Sequence, residues 1–104
     1  MHPGKGVISL RDYELVYILR PTSTEEVISG LAERLQTWVG VSGGEIQKVT
    51  SWGRRRLAYP VADVRDGIYT LVNFRAAPTA IKELERNIKL AEDIIRHMIV
   101  RQGS

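Results

Sequence analysis

Gly53-Arg54-Arg55-Arg56-Leu57-Ala58-Tyr59-Pro60 sets three consecutive arginines at the mouth of an apolar run. Adjacent guanidiniums repel one another and gain little as a purely structural feature. They make sense against an external anion, and phosphate matches the planar fork of arginine donors best. A charged stretch can also guard a strand edge against aggregation. Three in a row, next to Trp52 and Tyr59, favours phosphate contact. Arg11, Lys89, Arg96 and Arg101 are secondary candidates, because the first and last strands should be neighbours. Lys82 and Arg86 read as solvated helix positions beside Glu83 and Glu85.

No catalytic grouping stands beside that run. The chain has no cysteine, which removes disulfides, thiolate chemistry and sulfur-ligated zinc. His2 and His97 lie at opposite ends of the chain, and His97 reads as a satisfied or surface strand residue. Glu25-Glu26 and Glu83/Glu85 suit solvated helix faces and dipole partners. Gly43-Gly44 lacks the lysine and hydroxyl that a phosphate-cradling loop needs. No cofactor, metal, small-molecule substrate or enzymatic activity is expected.

Composition is consistent with this. The 104 residues suit one domain, with 43% apolar and 26% charged residues as in ordinary globular chains. Net charge is only +3, but arginine supplies eleven of the fifteen cations. That bias suits phosphate and base contacts more than solubility. No apolar run approaches a membrane span and no signal peptide opens the chain, so the expectation is a cytoplasmic protein.

The elements that must position these residues follow from periodicity. Met1–Gly6 reads as a loose tail. From Arg11, residues Tyr13, Leu15, Tyr17 and Leu19 alternate with Glu14, Val16 and Ile18, a strand that stops at Arg20-Pro21. Thr22 with Glu25 and Ser23 with Glu26 form overlapping capping boxes. The helix that follows buries Val27, Ile28, Leu31, Leu35 and Trp38 and stops at Gly40. A strand from Glu45 to Trp52 continues through the arginines to Val61. Asp63–Gly67 reads as a hairpin turn, followed by a strand over Ile68–Ala76. Ala77-Pro78-Thr79 starts a second helix, with Ile81, Leu84 and Ile88 on its buried face. Ala91-Glu92-Asp93 breaks it before a last strand over Ile94–Arg101.

The order βαββαβ predicts an α+β ferredoxin-like sandwich, a four-stranded antiparallel sheet with two helices on one face. Residues 11–101 form the domain, 1–10 an extension and 102–104 a short end. With Glu14 and Arg75 turned outward, the uncovered face shows Val16, Ile18, Tyr69, Leu71 and Asn73. Contiguous exposed apolar residues mark a partner site. The RNA-recognition motif shares this element order, but Thr70 and Val72 stand where its stacking aromatics belong. Sequence-specific reading of single-stranded RNA by the sheet is therefore not expected. The alternative is a regulatory module that binds a small ligand or self-associates through the open face.

Trp52-Gly53-x-Arg55-Arg56-Leu57-Ala58-Tyr59-Pro60-Val61 resembles the signature of the bacterial small-subunit ribosomal protein six family. Arg11-x-Tyr13-Glu14 resembles its opening. The likeness spans Arg11 to Arg101. It implies the ferredoxin-like fold and a structural, ribosome-bound role on the central domain of small-subunit rRNA. It also implies a heterodimer with ribosomal protein eighteen, which would give the open face its occupant. Arg55 and Arg56 match the family pattern, Arg54 stands at a varying position, and Arg11 and Arg96 at often basic ones. Leu57 to Pro60 match as packing and strand-shaping residues. Residues 1–10 precede the usual start, and Ser104 ends the chain without the extended tail some members carry. The lack of a transit peptide fits a bacterial rather than an organellar ribosome.

Overall fold

The computed structural model describes residues 9–61 and 64–103. The expected tail over Met1–Gly6 and the turn residue Asp63 lie outside them. The elements run β1 (Arg11–Leu19), α1 (Glu25–Val41), β2 (Glu45–Val61) and β3 (Val64–Ala76). A short 3₁₀ turn (Pro78–Ala80), α2 (Ile81–Leu90) and β4 (Ile94–Arg101) complete the chain. The four strands form one antiparallel sheet in the order β2-β3-β1-β4. This is the expected ferredoxin-like α+β arrangement, with both helices packed on one face.

Alternation in β1 sets the core. Tyr13, Leu15, Tyr17 and Leu19 are all buried, beneath Leu31, Leu35 and Val39 of α1 and Leu84 and Ile88 of α2. From β3 come Val72, Phe74 and Ala76, with the Tyr13 and Phe74 rings stacked at 5.5 Å. Burying each large side chain contributes about 1.5–3 kcal/mol before conformational entropy is subtracted. Val39 replaces Val27 in the set expected for α1, because the helix runs one turn past Trp38.

The helix ends differ from expectation for local reasons. Thr24 caps α1, its hydroxyl accepting from Val27 N at 3.2 Å, so neither capping box sets the start. Three hydroxyl residues in a row offer three possible caps, and Thr24, extended at ψ 166°, is the one that takes the position. Gly40 stays helical. The stop falls at Gly43, whose φ is +86°, with Gly43 N bonded to Gly40 O and Gly44 N to Val39 O. That pair of bonds satisfies the last carbonyls of the helix. At α2, Pro78 enters through a 3₁₀ turn as its missing N–H allows.

Val64–Gly67 is strand and not turn. Gly67 is buried, and a Cβ there would collide with Ile18 Cγ2 and crowd the Leu19 carbonyl. The Asp-Gly pair therefore marks a close approach of strands, the other use of glycine in a sheet.

Thr70 is the buried polar residue of the core among those described, and it faces Tyr17 across the β1–β3 ladder. Burial pushes the Tyr17 phenol up from its ordinary 10, while the Thr70 side chain pulls it partly back. With the folded pKa raised, the unfolded chain loses this proton first as pH rises. Stability should therefore fall once pH passes about 10, where unfolded tyrosine ionises. Alkaline denaturation should be less steep in Tyr17→Phe, which also loses about 1 kcal/mol at neutral pH by leaving Thr70 unpaired. Urea melts from pH 8 to 11 check both; parallel pH profiles for the two proteins would contradict the assignment.

Candidate nucleic-acid and partner interface

The open face appears where the register predicts it. Val16 pairs with Leu71 and Met98, Ile18 with Tyr69 and Arg96, and Glu14 with Asn73 and Val100. Asn73 Nδ2 donates to Glu14 Oε2 at 3.5 Å. Arg75 Nε lies 3.2 Å from Asp12 Oδ1, an ion pair by distance whose N–H is not aimed for a hydrogen bond. Met98 and Val100 on β4 are 58% and 42% exposed and extend the apolar patch beyond the residues expected from sequence. Ile18 corrects that expectation, because it is only 6% exposed. It and Leu57 flank Gly67, so the arm of β2 covers it.

A bulge in β2 explains that cover. Ser51 pairs with Thr70 and Gly53 with Tyr69, leaving Trp52 as an extra residue. Gly53 sits at φ +75°, which an L-residue adopts only at a cost. Trp52 stacks on Tyr69 at 6.3 Å. Beyond the bulge the alternation restarts. Arg55 opposes Gly67 and shares the open side with Leu57, whereas Arg54 and Arg56, opposite Ile68 and Asp66, take the helix side.

The three arginines therefore do not form one claw. Arg54 Nη2 donates to the Pro21 carbonyl at 3.1 Å, tying the arm to the loop that leads into α1. Arg55 Nε folds back on Trp52 O at 3.2 Å. All three are exposed, and none meets a carboxylate among the described residues. Arg56 and Arg65 line a shared depression of about 180 Å³ with Leu57 and Ala58. Tyr59 is 57% exposed rather than packed, and Ala58 is exposed too. The Tyr59 hydroxyl accepts from Arg96 Nη1 at 3.0 Å, and the Arg96 guanidinium covers its ring at 5.2 Å.

Of the seven cations expected to act together, the fold gathers four. Arg54, Arg55, Arg56 and Arg96 lie at the end of the sheet where β1 finishes, with exposed Arg20 and Arg65 added. Arg11 and Arg101 lie toward the other end, beside Ala76 and Tyr13, roughly 25 Å and 17 Å away along nine-residue β1. Lys89 stands on the last turn of α2, in the helix layer. His97 is satisfied by Glu85 of α2, with Nε2 3.4 Å from Oε2. Trp52, Leu57, Arg65 and Met98 were not legible as site residues. The one signal was Gly53, a glycine inside a strand.

The family model for ribosomal protein S6 matches residues 12–101. The small ribosomal subunit protein bS6 of Desulforamulus reducens is 44% identical over 94 residues, covering 90% of this chain and 99% of that one. Its counterpart in Clostridioides difficile is 47% identical over 91 residues, covering 88% and 98%. The chain belongs to the ribosomal protein S6 family. Membership makes it a structural, ribosome-bound component of the small subunit in the cytoplasm and not an enzyme. The crystal structure of 30S ribosomal protein S6 from Thermotoga maritima superposes with a TM-score of 0.84 at 32% identity, covering 90% of this chain and 89% of that one. The C-terminal domain of MgtC from Mycobacterium tuberculosis shares the fold, with a TM-score of 0.64 at 10% identity. No helix among the described residues is long and apolar enough to cross a membrane.

The bulge gives a direct test. Gly53→Ala should cost about 1 kcal/mol, the penalty for a Cβ in the left-handed region. It should also shift Trp52 emission as the stack on Tyr69 loosens. Unchanged stability and emission would mean that the bulge is not set by Gly53.

Proposed function

We propose that this S6-family chain binds the central domain of small-subunit rRNA together with a small basic protein of the ribosomal protein eighteen family. One observation carries the RNA half: six arginines crowd one end of the sheet, and the three of the run lack carboxylate partners among the described residues. Such a cluster is held together against its own repulsion at little gain unless phosphates neutralise it. Arg54, Arg55, Arg56 and Arg96 supply the main RNA contacts, with Arg11, Arg101 and Lys89 reaching RNA that passes the other end or the helix layer.

The partner half is supported by the open face. Met98 and Val100 are its exposed residues, with Val16, Tyr69, Leu71 and Asn73 half-buried beside them and Ile18 as covered floor. A patch of this kind on an otherwise polar surface suits the apolar heart of a protein interface.

The test is a salt-titrated binding assay with the central-domain rRNA fragment, with and without the partner. Tight binding that requires both is the expected result. No binding in either case, with a concentration-dependent homodimer instead, would transfer the open face to self-association. Replacing Arg54, Arg55 and Arg56 by alanine should flatten the salt dependence of log K by roughly 0.7–0.9 per lost phosphate contact. An unchanged slope would remove the run from the RNA footprint.

A further inference from the structure

Past its bulge, β2 becomes one strand of an arm that leans over the open face. The arm stays paired with β3 as far as Val61 opposite Val64, and this hairpin curls over the end of β1 so that Tyr59 bonds Arg96 on β4. Beneath that arm is a cleft of about 290 Å³. Its floor is Val16 and Ile18, closed at one side by Leu57 of the arm. One wall is Tyr69, backed by Trp52; the other is Tyr59, covered by the Arg96 guanidinium. The cleft is too small for a helix and of a size for one planar group.

Charge decides what kind of group. No carboxylate lines the cleft. Arg96 stands in its rim, and the depression shared by Arg56 and Arg65 adjoins it through Leu57 and Ala58. A basic protein segment would meet like charge here. An apolar slot with aromatic walls, a guanidinium plane and a cationic rim fits a nucleotide, with base inside and phosphates at the edge.

We propose that this cleft receives one unpaired base of the bound RNA, flanked by phosphates on Arg56 and Arg65. The inference rests on the RNA-binding reading and assigns to RNA the part of the open face under the arm. Leu71, Asn73, Met98 and Val100 remain for the protein partner, with Met98 on the border between the two. The free donors of Arg96 suit an acceptor-bearing base edge, and guanine, with O6 and N7, offers the best match.

Tyr59→Leu in the full chain removes one stacking wall and the hydroxyl that Arg96 bonds, while leaving every charge on the chain. In the assay with the central-domain fragment and the partner protein, affinity should fall about tenfold or more, as loss of a base–aromatic stack does. The salt slope and the melting temperature should stay as in the parent chain. Arg96→Lys, which keeps the charge but loses the planar fork, should weaken binding in the same way. Parent-like RNA affinity in Tyr59→Leu, with the arginine-run slope change intact, would overturn the base slot alone. Weaker binding to the partner protein in the absence of RNA would give the slot to that protein and overturn it too. Failure of the parent chain to bind RNA would overturn the RNA reading itself, and the slot with it.

Discussion

Everything in this molecule hangs on the two-residue period of β1 at the centre of its sheet. Tyr13, Leu15, Tyr17 and Leu19 bury under both helices, so Glu14, Val16 and Ile18 have no choice but the opposite face. A slip of one residue would send four core side chains to solvent. Pairing on both sides pins the strand against that slip, with β3 along its whole length and β4 from Tyr13 onward. The open face is thus a consequence of core packing. Its apolar character is the feature that packing does not require, and for that reason it points to function.

The second constraint is the bulge at Trp52-Gly53. Without the extra residue, the arginine run would fall on inverted sides and Leu57 would face away from Ile18. With it, Leu57 closes over Ile18 and Arg54 anchors the arm to Pro21. Tyr59 then reaches Arg96 across the sheet. One glycine in a left-handed conformation converts a plain edge hairpin into an arm that gathers cations above an aromatic cleft. Arg54 has a structural contact within the run, whereas Arg56 is exposed and shares a depression with Arg65.

The elements were legible because their signals are local. Alternation marked β1, β-rich composition marked β4, and the Leu84–Ile88 spacing marked α2. What was not legible depends on contacts distant in sequence. Asp66-Gly67 has the composition of a turn, yet its glycine exists to let β3 pass Ile18. Thr22, Ser23 and Thr24 are equivalent as caps until the exit angle of β1 selects one. The cations expected to form a single footprint fall at two ends of the sheet. Their type was readable from composition, but their grouping depends on strand order and register. The family resemblance carried on Trp52–Val61 and Arg11–Glu14 agreed with the family model match and with the related chains.

The central claim is that RNA and protein meet different parts of one surface, arginines at the arm and apolar residues on the lower sheet. Nuclear magnetic resonance of the labelled chain tests it most directly, adding the protein partner first and the central-domain rRNA fragment second. The partner should move the signals of Leu71, Asn73, Met98 and Val100, and the RNA should then move the side-chain Nε signals of Arg54, Arg55, Arg56 and Arg96. RNA-induced shifts confined to Arg11 and Arg101, with the arm silent, would contradict the account.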